Sequence, residues 1–205
     1  MNIQELLHIA EVSGGIVWIL LFTLLVALVV IIDRTWNLGK IVRRGEWIAR
    51  AILQSDEGID REALTDMAVR TAKYPQGAVL EVALKYSDVK DPHRLSELIE
   101  ETVLLQAPRV DRGMWVLDTI VTLDPLLGLL GTIIGIFEAF QVLGAADTAP
   151  TQVTGGVAVA LVATAMGLAV AIIGLVFFNG LNNRARLIML QMEAIKVMLV
   201  NRLTA

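Results

Sequence analysis

At 205 residues, 56% hydrophobic and only 19% charged, with a mean hydropathy of +0.67, the chain is too apolar for an ordinary soluble domain, in which about half the residues are apolar and roughly a quarter charged. Its formal charge of −4, and a balance of thirteen basic against thirteen acidic residues over 34–112, exclude the net basic stripe of a nucleic-acid binder. Cysteine is absent, which excludes disulfide frameworks and thiolate metal sites.

In chain order, residues 1–13 place Ile3, Leu6, Leu7 and Ala10 on one face, the spacing of a short amphipathic helix lying on the outer membrane surface. Gly14-Gly15 then turns the chain into a first span over 14–33, whose residues 16–32 carry no charge. A helix needs about 20 apolar residues to cross the hydrocarbon core. A cleaved signal peptide would have a basic segment before the apolar run and a small-residue site after it. Here Glu5 and Glu11 precede the run and Asp33-Arg34-Thr35-Trp36 follows it, so an uncleaved anchor is expected. Trp18 and Trp36 suit the aromatic belts at its two ends.

Residues 34–112 read as a helical domain. Ser55-Asp56-Glu57-Gly58 and Tyr74-Pro75-Gln76-Gly77 punctuate it, and Asp91-Pro92 supplies an N-cap with proline at the first helical position. From there Leu95, Leu98, Ile99, Thr102, Val103 and Leu105 keep an approximate helical period. This helix is expected to run on into the second span as one rod, kinked near Pro108.

The second span covers 113–144, an outer loop 145–152, the third span 153–180, and a cytoplasmic C-terminal helix 181–205. The predicted fold class is an all-α integral membrane protein with three transmembrane helices. A helical cytoplasmic domain lies between the first and second, and the long second and third helices extend into the cytoplasm. All seventeen Lys and Arg fall within 34–112 and 184–202. Positive charge stays on the cytoplasmic side, so the N-terminus is expected outside and the C-terminus inside.

No enzyme motif is present: there is no Walker-type loop, nucleophile elbow or zinc-protease helix. His8 and His93 are expected on opposite sides of the membrane, each an ordinary surface residue. The informative residues are inside the spans. Gly156, Ala160, Thr164, Gly167, Ala171 and Gly174 form one small-residue stripe down the third span, and Gly128, Gly131 and Gly135 continue the style in the second. Small residues let membrane helices approach closely, either within one bundle or between subunits. Thr132 and Thr164 can satisfy their hydroxyls on their own helices. Glu138, an acid in an apolar run, lies only about 9 Å of helix rise from the outer end. A packing or interface role therefore ranks above an ion-path role for it.

The stretch Pro125-Leu126-Leu127-Gly128-Leu129-Leu130-Gly131-Thr132-Ile133-Ile134-Gly135-Ile136-Phe137-Glu138-Ala139-Phe140 resembles the second-span signature of the MotA/TolQ/ExbB family, in its ExbB/TolQ branch. Residues 155–179, through Gly156, Ala160-Leu161, Thr164-Ala165, Gly167-Leu168 and Asn179, are similar to that family's third span, and Leu117-Asp118-Thr119-Ile120 to its lead-in. The resemblance is close over about 110–185 and looser elsewhere.

The resemblance implies a homopentamer in the bacterial inner membrane, packed around a dimer of a single-span ExbD/TolR-like protein, with a TonB/TolA-like protein as a further partner. An aspartate in the single-span partner carries the proton or sodium ion. The pathway threonines would be Thr132 and Thr164, with Glu138 a weaker candidate. Gly128, Gly131, Gly135, Gly156, Ala160, Gly167, Ala171 and Gly174 would face a helix partner. No cofactor or metal is implied. Two positions depart from the family pattern: Val159 stands where many relatives carry an acid, and Ile173 where they carry a proline. Two functions follow, an ion-driven stator subunit and a non-conducting scaffold of the same fold, and the retained threonines favour the first.

Overall fold

The computed structural model describes residues 15–54, 60–143 and 150–204. The surface helix expected at 1–13, the break at 55–58 and most of the outer loop lie outside these residues. Six helices occur among the described residues: α1 (Ile16–Leu53), α2 (Arg61–Thr71), α3 (Pro75–Lys85), α4 (Pro92–Val110), α5 (Met114–Leu143) and α6 (Pro150–Leu203). There is no strand among them. Helices α1, α5 and α6 are long and apolar enough to cross a membrane. The fold is the all-helical three-span arrangement read from the sequence.

The chain divides into two compact units, Met1–Ile32 with Gly113–Asn179 and Asp33–Arg112 with Gly180–Ala205. Both α1 and α6 contribute to each. In the first unit many large side chains face outward, while small residues are buried along with Leu20 and Leu117. Phe22, Leu25 and Val29 of α1, Leu126, Leu129, Ile133, Phe137 and Phe140 of α5, and Leu161, Ile172 and Val176 of α6 are exposed. Ala27, Gly128, Gly131, Ala139, Ala160 and Ala163 are buried. Lipid or a neighbouring helix satisfies such an apolar exterior, and close backbone approach replaces the hydrophobic effect as the source of cohesion.

The second unit has a core of large apolar side chains. Leu38, Ile48 and Ile52 of α1, Leu64 of α2, Leu80 of α3, Leu95 and Ile99 of α4, and Ile188, Met192 and Ile195 of α6 are fully buried. Helix α2 packs on α3 and α3 on α4. The Asp91 side chain accepts from the His93 amide at 3.0 Å with Pro92 opening α4, the cap its sequence requires. Gln76 donates through Nε2 to the Ile41 carbonyl and to Gln191 Oε1, both at 3.3 Å, and Gln191 Nε2 donates to the Val42 carbonyl at 3.2 Å. Lys196 reaches Glu193 at 2.7 Å and Glu100 at 3.3 Å, joining α6 to α4.

The expected continuous rod does not form. Helix α4 ends at Val110 and α5 starts at Met114, with Gly113 between them at φ +77°. This left-handed backbone is open to glycine and ends a helix. The Val110 carbonyl, one of the terminal acceptors without an intrahelical donor, takes Arg34 Nη2 at 2.8 Å instead. Pro108 is accommodated inside α4.

Close packing in this unit makes a stability prediction. A Cβ on Gly77 would run into the Thr71 carbonyl group, lying 2.5 Å from its carbon and 3.0 Å from the Ala72 nitrogen, whereas one on Gly39 meets nothing within 4 Å. Gly77→Ala is expected to destabilise by about 1–3 kcal/mol through overpacking. Gly39→Ala should be neutral or stabilise by about 0.5–1 kcal/mol, the helix preference of alanine. Thermal unfolding of both variants checks the contrast.

Candidate functional site

The site is built on the facing surfaces of α5 and α6. Glycine on one helix meets backbone or a small side chain on the other at step after step. A Cβ added to Gly128 would lie 2.9 Å from Thr164 Cα and 3.1 Å from the Ala163 carbonyl. One on Gly135 would lie 2.7 Å from Ala160 Cβ, and one on Gly156 3.2 Å from Ala139 Cβ. Gly167 faces the Asp124 carbonyl and leaves 3.2 Å to Gly128 Cα, while Gly174 leaves 2.8 Å to Val121 Cγ2. Gly131 faces two neighbours, Ala163 Cβ at 3.0 Å and Ile16 Cγ2 of α1 at 3.4 Å. The glycines of the stripe therefore pack α5 against α6 within one chain, and Ala160 and Ala171 are buried with them. Of the two arrangements the spacing left open, these contacts form the intramolecular one.

This close approach brings Thr132 and Thr164 together. Their hydroxyls are in hydrogen-bonding contact with each other. Thr164 Oγ1 donates to the Gly128 carbonyl across the helix pair at 2.8 Å. Thr132 Oγ1 has the same carbonyl at 3.2 Å on its own helix and the Ala160 carbonyl at 3.4 Å on α6. Two hydroxyl protons thus have four acceptors within reach, counting each hydroxyl oxygen. The pair can redistribute its hydrogen bonds by rotating O–H groups alone, with no movement of the helices. Both side chains are only partly buried.

Glu138 is exposed on α5, six residues beyond Thr132 and so about 9 Å further along the helix. It is not drawn into the hydroxyl pair. Val159 is partly buried on α6, and Ile173 is exposed in a helix that runs unbroken past it.

One polar contact in this unit was not anticipated. Thr23 Oγ1 on α1 donates to Asp124 Oδ2 on α5 at 2.9 Å, and has the Leu20 carbonyl at 3.0 Å as its other acceptor. Asp124 is completely buried. Two sequence signals point to the contact in hindsight. Thr23 is the sole hydroxyl in the charge-free run 16–32, and Asp124 sits directly before Pro125 at the edge of the apolar stretch.

Three apolar helices, two of them locked together by a glycine seam around a hydroxyl pair, define a multi-pass membrane protein built for close helix association. Residues 71–194 match the model of the MotA/TolQ/ExbB proton channel family. The chain belongs to that family, in its ExbB/TolQ-like branch. It is similar to biopolymer transport protein ExbB-like 3 of Synechocystis sp., at 32% identity over 171 residues, 82% of this chain and 80% of the relative. It is also similar to the biopolymer transport protein ExbB homolog of Methanothermobacter thermautotrophicus, at 28% over 195 residues, 94% of this chain and 67% of that protein. The Tol-Pal system protein TolQ of Haemophilus influenzae is 42% identical over 73 residues, 35% of this chain and 32% of its own. The family is one of channels and transport proteins rather than of enzymes.

Proposed function

We propose that this chain is the ion-channel (stator) subunit of an inner-membrane motor that couples the proton (or sodium) gradient to mechanical work on the cell envelope. The observation that carries the reading is the hydroxyl pair Thr132–Thr164, held between α5 and α6 with more acceptors than protons. An ion leaving water needs oxygen ligands or a hydrogen-bonded chain in place of its hydration shell, and hydroxyls and free carbonyl lone pairs are the groups that supply them in an apolar helix pair. The chain would assemble as a pentamer around two copies of a single-span ExbD/TolR-like protein, with a TonB/TolA-like protein passing on the work. The partner's intramembrane aspartate would carry the ion past the threonines. The N-terminus would face outward, consistent with the absence of Lys and Arg from residues 1–33 and 143–153. One charge crossing 100 mV releases about 2.3 kcal/mol, enough to bias a rotation step.

Val159 favours the second reading, a non-conducting scaffold, because it leaves the third span without an acid of its own. The two readings separate in cells. Co-expression with a single-span ExbD/TolR-like protein is expected to acidify the cytoplasm, read by a pH-sensitive fluorescent protein, when the outside is acidic. Changing that partner's intramembrane aspartate to asparagine should abolish the effect. Acidification absent from both forms of an assembled complex supports the scaffold.

A further inference from the structure

We propose that Asp124 is a proton-binding site belonging to this chain itself, a carboxyl held neutral between α1 and α5. Its side chain is completely buried. Oδ2 accepts from Thr23 at 2.9 Å, and Oδ1 has no hydrogen-bond partner. No element packed around it brings a positive charge. Residues 16–32 of α1 and 150–179 of α6 contain no ionisable side chain, and the other acids of α5, Asp118 and Glu138, are both exposed. The whole of 1–32 and 113–179 contains no Lys or Arg, and its one histidine, His8, lies outside the described residues. The nearest cation along α1, Arg34, is eleven residues and so about 16 Å of helix rise from Thr23, and it is committed to the Val110 carbonyl.

A buried carboxylate with neither a counter-ion nor hydrogen bonds to both oxygens neutralises itself by taking up a proton. The local geometry suits a group that changes charge. Thr23 has two acceptors, the Leu20 carbonyl at 3.0 Å and Asp124 Oδ2 at 2.9 Å. Its hydroxyl can point at the carboxylate when Asp124 is ionised and turn back to its own helix when Asp124 is neutral. Rotation of one O–H bond then accompanies each proton taken up or released. The Asp124 carbonyl lies against Gly167, so this group sits on the same α5–α6 seam as the threonine pair. This site goes beyond the stator reading, in which the ion-carrying carboxylate is the partner's.

Infrared spectroscopy of the purified full-length chain in lipid tests it without any partner or ion flux. The carbonyl stretch of a protonated carboxylic acid, shifting in deuterium oxide, is expected at neutral pH from Asp124. The band should vanish in Asp124→Asn and persist in Asp118→Asn and Glu138→Gln. Thr23→Val leaves the acid in place, so the band should persist. An unchanged band in Asp124→Asn, or no band in a wild-type chain of native helicity, overturns the proposal. So does a sodium-dependent spectrum with Asp124 ionised, since that marks a cation site. A chain that shows the band but never conducts defeats the stator reading alone, whereas a conducting chain without the band defeats this proposal alone.

Discussion

Replacing Gly167 by leucine is expected to prevent α5 and α6 from pairing, so that the variant aggregates or melts far below the wild type. The position admits no side chain because what faces it is backbone, the Asp124 carbonyl and, at 3.2 Å, Gly128 Cα. Overpacking a core usually costs about 1–3 kcal/mol when side chains can adjust. Here two helix backbones must separate, which also breaks the contacts at Gly128, Gly135 and Gly156, so the loss should exceed that range. Against a total stability of roughly 5–15 kcal/mol for a domain, such a loss is decisive. Gly174→Leu should be milder, because the atom it meets is the movable Val121 Cγ2. Gly155→Ala, with nothing within 4 Å, should behave as wild type. Size-exclusion profiles and melting temperatures in detergent rank the three. A Gly167→Leu chain with wild-type melting contradicts the seam.

Thr164→Val is expected to leave assembly intact and to slow ion movement by about 10–100-fold. Valine keeps the shape and removes the hydroxyl, with its bonds to the Gly128 carbonyl and to Thr132. A neutral hydrogen bond contributes only about 1 kcal/mol net to stability, so the fold survives, whereas a bond to a charged species contributes about 1.5–3 kcal/mol. An ion that loses such a ligand at its barrier slows about tenfold for each 1.4 kcal/mol. Thr164→Ser restores the hydroxyl and should recover most of the rate. Proton uptake by the reconstituted complex measures all three, and a valine variant at full rate removes Thr164 from the path.

The legible and illegible parts of the molecule differ for physical reasons. The three spans could be read because a bilayer demands an unbroken apolar run from each helix. Periodicity revealed that the glycine stripe lies on one helix face but not what covers that face, since the same spacing serves a neighbouring helix in the chain or in another subunit. The contacts at Gly128, Gly135 and Gly167 are made within the chain, between α5 and α6. The break at Gly113 was missed because the apolar period of α4 continues through Leu105 towards the next span. What stops the helix is a positive φ and a side chain, Arg34, arriving from seventy-six residues away. The Thr23–Asp124 bond joins residues 101 apart. No local rule connects them, and an acid beside a proline reads as the edge of a span rather than as part of its interior. The ion-path roles proposed for Thr132 and Thr164 rest on family resemblance; what the structure adds is their meeting across the seam.

Proton uptake into liposomes, driven by an imposed gradient, tests the stator reading most directly. The liposomes hold this chain assembled with its single-span partner, with and without that partner's intramembrane aspartate changed to asparagine. The reading predicts rapid uptake by the first complex and none by the second. An intact complex that admits no protons or sodium ions in either form, in liposomes where an active relative conducts, contradicts it and leaves the scaffold.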